Sequence, residues 1–600
     1  MAAAASADYA ELKAGHGGVL WVEYRPDTGR CSLWFGGSGE SRCLTPDDHS
    51  IRSRVYEYGG GAFCVTEDGV AFVGEADQQI YLQSIDGHPP RLLSNNETAR
   101  HGDLQYDARA NAIVCVEEQP GEPERHRLVS IDIHTGARAV IAETADFYAS
   151  PCISPRGDRL AWIEWDRPEQ PWTSTRLCVS SRDDAGRWSR LKVVAGTGGN
   201  EALQQPRFDS AGGLHALSDV DGWWRPWREQ GDRWAIADTS VAADHASAPW
   251  QLGSASYLPM GDGYVACRLT KGFGELVVYQ ERNERTLAQA YTRFRSVAMD
   301  ADHLYVIAAA PHCGSAILSI SPASGDITVL SGGCQLVDDD QLSRPEPFEY
   351  PVAGTHAHGF LYRPRNAGAT APDTERPPLV LFLHGGPTSA CYPVFDPRIQ
   401  FWTQRGFAVA DLNYRGSSGF GRDYRFGLKH HWGVSDVEDA VAAVDHLAAK
   451  GIVDGERAFI RGGSAGGYTA LCALAFSDRF QAGASLYGVS DPLALARATH
   501  KFEGDYLDWL IGDPDLDLDR YRARTPLLHA DSISSPVIFF QGGRDAVVVP
   551  AQTESMVDAL RQKGIKVEYH FYPEERHGFR QAENLADVMV KELAFYQQCL

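Results

Sequence analysis

Three side chains in the C-terminal half of this chain have the types and settings needed for nucleophilic catalysis. Ser464 stands in Gly462-Gly463-Ser464-Ala465-Gly466-Gly467, between a short apolar strand (Ala458-Phe459-Ile460) and a helical pattern that begins near Ala465. Glycines at 462 and 466 permit a turn too sharp for side chains, and a turn of that kind lifts the serine hydroxyl to the carboxyl edge of a sheet. An unassisted hydroxyl is a poor nucleophile at neutral pH, so an imidazole must take its proton. That imidazole in turn needs a carboxylate to fix its tautomer and stabilise its cation. His577, in Glu574-Glu575-Arg576-His577-Gly578-Phe579, is the expected base, and Asp545, in Gln541-Gly542-Gly543-Arg544-Asp545, is the expected carboxylate. The negative oxygen that forms during acyl transfer needs two fixed donors. The Gly386 N–H in His384-Gly385-Gly386-Pro387 and the Ala465 N–H are expected to supply them, since Pro387 has no N–H to give. The chemistry so defined is hydrolysis of an amide or ester through an acyl-enzyme, with no metal and no other cofactor.

Each of these residues must sit at the end of a strand. Leu379 to Leu383 reads as a buried strand ahead of His384, and Pro536 to Phe540 as another ahead of Asp545. A helix from about Ala551 to Lys563 and a strand from Val567 to Tyr572 follow, and the His577 loop precedes a last helix. Val437, Ala440, Val441, Val444, Leu447 and Ala448 recur at helical spacing. Strands alternating with helices indicate a mostly parallel sheet, and the order Ser, Asp, His at successive strand ends is that of an α/β-hydrolase domain. Singly, each of the three could be an ordinary turn residue; together and in order they point to a reactive site.

The first half has a different texture. Short apolar strands recur behind polar turns: Gly18 to Val22, Gly69 to Val73, Asn111 to Val116, Gly157 to Ile163, Gly213 to Leu217, Gly263 to Cys267 and His303 to Ile307. The mean spacing of about 47 residues suits a four-stranded propeller blade. Seven units predict a seven-bladed β-propeller, with a pair of β-sandwiches as the alternative. Asp338-Asp339-Asp340 and Pro345-Glu346-Pro347 mark a linker, which divides the chain into a propeller over 1–340 and a catalytic domain over 341–600.

The net charge of −23 and the lack of a long basic run argue against a nucleic-acid partner. The twelve cysteines form no C-x-x-C pair and several lie inside apolar strands, as expected of free thiols in a reducing compartment. The start, Met1 to Asp8, has no basic segment and no long apolar core, and no apolar run reaches membrane-spanning length. The expectation is a cytoplasmic protein that binds neither membrane nor nucleic acid. Self-association into a homo-oligomer is left open.

A propeller followed by a hydrolase with these motifs resembles the prolyl oligopeptidase family of serine peptidases. The resemblance covers nearly the whole chain. It is most specific in His384 to Pro387, Asn413-Tyr414-Arg415-Gly416-Ser417-Ser418-Gly419-Phe420-Gly421, Trp432-Gly433-Val434-Ser435-Asp436-Val437, Gly463 to Tyr468 and His577-Gly578-Phe579. Within the family the chain looks most like the acylaminoacyl-peptidase and dipeptidyl-peptidase-like branch, and Tyr56-Glu57-Tyr58-Gly59-Gly60-Gly61 is similar to bacterial members of it. The resemblance implies hydrolysis of short peptides, with the propeller excluding folded proteins. An esterase or a tailoring hydrolase for small amides and esters would use the same triad. A non-enzymatic propeller scaffold would be expected to carry a damaged one.

The chain departs from prolyl oligopeptidase itself, and from the well-known dipeptidyl peptidases, at His384. Those enzymes have a tyrosine there whose hydroxyl serves the oxyanion. The histidine implies reliance on backbone donors, with His384 anchoring its loop. Related dipeptidyl peptidases line the pocket for the residue before the scissile bond with two tyrosines four apart. By that match Phe502 and Tyr506 form an apolar pocket here, the alternative being an aromatic pair in a helix core. Val547 falls where relatives place a polar residue that touches the substrate backbone, a contact a valine loses. Glu57 and Glu117-Glu118 are candidates for a substrate ammonium, although solvated surface glutamates are the expected reading. His356 and His358 alternate in a strand-like segment without a third ligand, so no metal is assigned to them.

Overall fold

The computed structural model describes residues 7–600 apart from 38, 232, 238–240, 262, 282 and 373. Met1–Ser6, part of the segment in which no secretory leader is expected, lie outside the described residues. Ala7–Ala309 with Ser315–Gly333 form one compact unit, and Ala310–Gly314 with Cys334–Leu600 belong to another.

The first unit is made of seven four-stranded antiparallel sheets, each built from four consecutive strands. It is the seven-bladed propeller that the repeats predict. Every strand recognised in the sequence is the second strand of its blade: Gly18–Arg25, Gly69–Val73, Ala112–Gln119, Arg159–Trp165, Leu214–Ser218, Gly263–Thr270 and Leu304–Ala310. These strands are covered on both faces by neighbouring blades. In one such layer Ala71, Val73 and Ile80 pack with Leu104, Ile113 and Cys115 of the next blade. A strand covered on both faces reads as a continuous apolar run rather than an alternation.

The innermost strands carry a different device. Glu11, Asp103, Ser150, Gln205 and Ser296 all have φ near +50°, and four of them use a side-chain oxygen to accept an amide of the next blade. Glu11 takes Ala62 N at 2.8 Å, Asp103 takes Ser150 N at 2.6 Å, Gln205 takes Ser256 N at 2.7 Å and Ser296 takes Leu12 N at 3.1 Å. The last of these joins the seventh blade to the first.

The second unit holds one eight-stranded sheet. Its strands are β1 (Glu346–Val352), β2 (Thr355–Tyr362), β3 (Leu379–Leu383), β4 (Ala408–Asn413), β5 (Ala458–Gly463), β6 (Ala482–Leu486), β7 (Val537–Gly542) and β8 (Val567–Tyr572). They run in the order β1-β2-β4-β3-β5-β6-β7-β8. The pairs β1–β2 and β2–β4 are antiparallel, and the rest of the sheet is parallel. All residues of β3 and β7 are buried. The helix Ala465–Phe476 is buried from Ala465 to Ala475, which explains its lack of an amphipathic pattern. The helix Ser435–Ala449 instead turns Val437, Ala440, Ala443, Val444 and Leu447 inward. Among the described residues no helix is long and apolar enough to cross a membrane.

Candidate active site

The turn after β5 is built by close contact. A Cβ on Gly462 would run into the backbone of Gly466, and a Cβ on Gly466 would run into the carbonyl oxygen of Leu383 at the end of β3. Only glycine lets the helix start this close to the sheet. Ser464 is left at φ 55°, ψ −122°, a sparsely populated conformation of the kind that collects at functional sites. Its amide donates to Leu486 O at 3.0 Å, which ties the turn to β6.

The loops after β7 and β8 bring the other two expected residues to this hydroxyl. His577 Nε2 lies 2.8 Å from Ser464 Oγ, and His577 Nδ1 lies 2.8 Å from Asp545 Oδ2. Asp545 is 4% exposed, and its other oxygen accepts the amides of Val547 and Val548 at 2.9 Å each. A carboxylate held by two amides and an imidazole is fixed in direction, so it can orient the ring and stabilise its cation. Val547, expected near the substrate, therefore contributes its backbone to the carboxylate.

Two neighbours of His577 were missed in the sequence. Glu575 is buried, and its carboxylate accepts Arg580 N and Gln581 N at 3.0 Å each and Asn584 Nδ2 at 2.9 Å. It closes the loop onto the start of the helix Ala582–Gln597 from six residues before the N-cap, and no local sequence signal marks it. Tyr487 has φ 40°, and its ring centroid lies 5.1 Å from that of His577 and 5.3 Å from that of Phe579. Nothing local in the sequence marks it.

β3 and β5 are paired neighbours, with Leu383 opposite Gly462, so Gly386 and Ala465 follow adjacent strand ends. A Cβ on Gly385 would lie 3.4 Å from Ser464 Cβ, which puts this loop against the serine. His384 behaves as an anchor. Its Nδ1 lies 2.8 Å from Gly385 O and its Nε2 2.8 Å from Ser417 Oγ, and its ring stacks on Tyr414 at 4.3 Å. Burial pushes its pKa down to about 4, so the ring is neutral at physiological pH and its Nδ1–H donates to Gly385 O, while the Ser417 hydroxyl donates to Tyr414 O at 2.7 Å.

Phe502 and Tyr506 are both buried but do not share a helix. Phe502 lies in the single turn Lys501–Glu503, and Tyr506 opens the helix Tyr506–Leu510. The Tyr506 hydroxyl reaches Thr388, next to the His384–Pro387 stretch.

In the propeller, the expectation of solvated glutamates fails for Glu117 and Glu118, which are 0% and 3% exposed. Sequence reasoning missed their cationic partners. Arg138 bonds both oxygens of Glu117 at 2.6 Å, while Arg100 lies 3.0 Å from Glu118 and 2.6 Å from the half-buried Glu57. Glu118, Glu124 and His126 bring three potential ligand atoms within 4.8 Å of one another. Glu124 and His126 are already bonded to each other at 2.7 Å, however. His356 and His358 both face Glu349, at 3.9 and 3.6 Å.

Residues 393–600 match the prolyl oligopeptidase family. A dipeptidyl aminopeptidase BIII from Pseudoxanthomonas mexicana is 33% identical over 249 residues, which are 40% of this chain and 36% of that protein. An acylamino-acid-releasing enzyme from Arabidopsis thaliana is 31% identical over 208 residues, 33% of this chain and 27% of that protein. The chain thus spans well under two thirds of the length of either curated relative. A solved puromycin-hydrolysing peptidase from Mycobacterium tuberculosis is 32% identical, with a TM-score of 0.94 covering 100% of this chain and 95% of that one.

Proposed function

The chain belongs to the prolyl oligopeptidase family, and from that premise we propose that it is a serine peptidase of short peptides and aminoacyl amides, with Ser464, His577 and Asp545 as its triad. The observation that carries this reading is the position of one imidazole, 2.8 Å from the hydroxyl on one side and 2.8 Å from the carboxylate on the other. Ser464 Oγ attacks the scissile carbonyl while its proton passes to His577 Nε2. Asp545 holds the ring and stabilises its cation. The Gly386 and Ala465 amides take the charge that develops on the carbonyl oxygen, and each such donor contributes about 3 kcal/mol at the transition state. His577 then gives its proton to the leaving amine, and water repeats the sequence on the acyl-enzyme.

The proposal takes 1–340 as a propeller that limits substrate size and 341–600 as the catalytic domain. It assigns the enzyme to the exopeptidases, of acylaminoacyl-, dipeptidyl- or aminopeptidase type, with Phe502 and Tyr506 walling the pocket before the scissile bond. The twelve free cysteines, most of them buried, support a cytoplasmic location.

The test is labelling with a fluorophosphonate, followed by a panel of N-acyl, free-amino and ester substrates that includes puromycin, the compound hydrolysed by the mycobacterial relative. Labelling at Ser464, and its loss in Ser464→Ala, is the expected result. Turnover in that folded variant should fall about 10⁶-fold. A wild-type rate in Ser464→Ala overturns the triad, and turnover of esters alone overturns the peptidase reading.

A further inference from the structure

Thr388 follows the stretch His384-Gly385-Gly386-Pro387 and is fully buried. Its amide donates to the Tyr506 hydroxyl at 3.2 Å, and its own hydroxyl lies 2.6 Å from the same phenol oxygen. Tyr506 is 3% exposed, and burial raises its phenol pKa. The phenol thus keeps its proton at neutral pH. Its oxygen accepts the Thr388 N–H, and its O–H is available to Thr388 Oγ1. The short helix that Tyr506 opens is itself held, by His430 N on Trp509 O at 3.0 Å and Trp432 N on Leu510 O at 3.2 Å.

Gly386 and Thr388 share one tight turn: a Cβ on Gly386 would lie 2.9 Å from Thr388 N and 3.0 Å from Ser389 Cβ. Other ties on this loop come from the end of β4 and the segment after it. They are His384 to Ser417, Ser389 O to Ser418 N at 2.8 Å, and Cys391 N to Asn413 Oδ1 at 2.8 Å. Those grips flank the turn; Tyr506 grips it two residues from Gly386.

We propose that Tyr506 is a positioning residue for the oxyanion donor on Gly386, acting through the two hydrogen bonds between its hydroxyl and Thr388. The inference rests on the reading of Gly386 given above. An oxyanion donor must aim at the place the charged oxygen will occupy, not at the ground-state carbonyl. Loosening it therefore weakens the transition state more than the bound substrate, and appears in kcat rather than KM.

The experiment uses Tyr506→Phe, which keeps the ring in the pocket and removes both hydrogen bonds. On a peptide anilide, kcat should fall about 10- to 100-fold with KM within about twofold. A peptidyl trifluoromethyl ketone supplies the second readout. Ser464 Oγ adds to its carbonyl carbon, the hydroxyl proton passes to His577, and the former carbonyl oxygen becomes an oxyanion. Affinity for this ketone should fall by the same factor as kcat, while affinity for the matching non-covalent peptide amide stays unchanged. Thr388→Val, which removes the hydroxyl and keeps the amide, should give a smaller loss, and adding it to Tyr506→Phe should cost nothing more. If Tyr506→Phe does not fold, Thr388→Val carries the same two readouts. An unchanged kcat, or a rise in KM with ketone affinity intact, overturns the proposal and leaves Tyr506 as a pocket wall. Failure of the wild-type protein to label at Ser464 would instead sink the parent reading.

Discussion

The two units use the same backbone device for opposite ends. In the propeller, single residues in the left-handed region (Glu11, Asp103, Gln205 and Ser296) turn a side-chain oxygen onto an amide of the next blade. The local strain is offset by a hydrogen bond that joins sheets. In the hydrolase unit Ser464 adopts a similar φ, and its oxygen faces the His577 imidazole. Strain that assembles the fold in one unit holds the proposed nucleophile in the other. Connectivity differs in the same sense. Each blade is four strands in sequence, so its contacts are local, whereas the hydrolase site gathers loops that follow β3, β5, β7 and β8.

Glycine substitutions should separate the two units most sharply. Gly466→Ala forces a Cβ against Leu383 O, between the serine turn and the strand that leads into His384–Pro387. Backbone on both sides cannot yield without moving one of them. We expect kcat to fall at least about 100-fold. Gly17→Ala, at the tip of the hairpin joining the first two strands of the propeller, has φ +73° and nothing within 4 Å of the new methyl. It should cost about 1 kcal/mol of stability and leave kcat alone. Steady-state kinetics and thermal melts on both variants make the comparison. Equal kinetic losses would show that the serine turn is no tighter than a surface hairpin.

What the sequence revealed follows from burial. The second strand of each blade is enclosed on both faces, and its apolar run betrayed the repeat. The innermost strands were unreadable, because a left-handed Glu, Asp, Gln or Ser has no period and its partner lies a blade away. The meeting of Ser464, Asp545 and His577 was legible because glycine-rich turns at strand ends are local signals. The grip of Tyr506 on Thr388 and the ring of Tyr487 beside His577 depend on contacts across dozens of residues, and the pairing of Glu118 with Arg100 on a contact between two neighbouring strands. The sequence placed Glu118 in water for that reason: its arginine is on a different strand.

That burial makes Glu118 the most informative titrating group of the propeller. Desolvation raises its pKa to about 7 from an ordinary 4.5, against the pull of Arg100 and the Tyr56 amide. Below pH 4.5 the carboxyl is protonated in both folded and unfolded chains, and its contribution to stability is complete. As the pH rises through about 7 the folded carboxyl must ionise in its buried site, and that contribution is lost. Glu118→Gln has no proton to lose. Its propeller melting point should therefore gain on the wild type by roughly 3 °C between pH 5 and pH 8. His384 in the hydrolase unit has the opposite sign. Its pKa is lowered from 6.5 to about 4, so its contribution is present above 6.5 and lost as the pH falls toward 4. A pH-independent difference between Glu118→Gln and the wild type would mean that Glu118 ionises in the fold as it does in water.

Two serines test the comparison at its root. Ser296 and Ser464 have φ values of 51° and 55°, and replacing either by alanine keeps the Cβ and hence the backbone strain. Only the oxygen is lost. At Ser296 that oxygen accepts Leu12 N where the seventh blade meets the first. The blades on either side of this seam share no strand, and besides this bond the seam has the Arg295–Asp8 ion pair at 2.9 Å, Ser41 Oγ donating to Leu330 O at 3.4 Å, the Tyr9 hydroxyl 2.9 Å from Ser331 Oγ and a shared apolar layer of Tyr9, Leu12, Trp21, Tyr305 and Ile317. Ser296→Ala leaves an amide unpaired and should cost about 1–2 kcal/mol, read as a drop of a few degrees in the propeller transition with kcat unchanged. Ser464→Ala should do the reverse, leaving every melting transition in place and removing turnover. If Ser296→Ala slowed the reaction while leaving the melt untouched, the left-handed residues of the propeller would not be clasps between blades, and the contrast between the two units would fail.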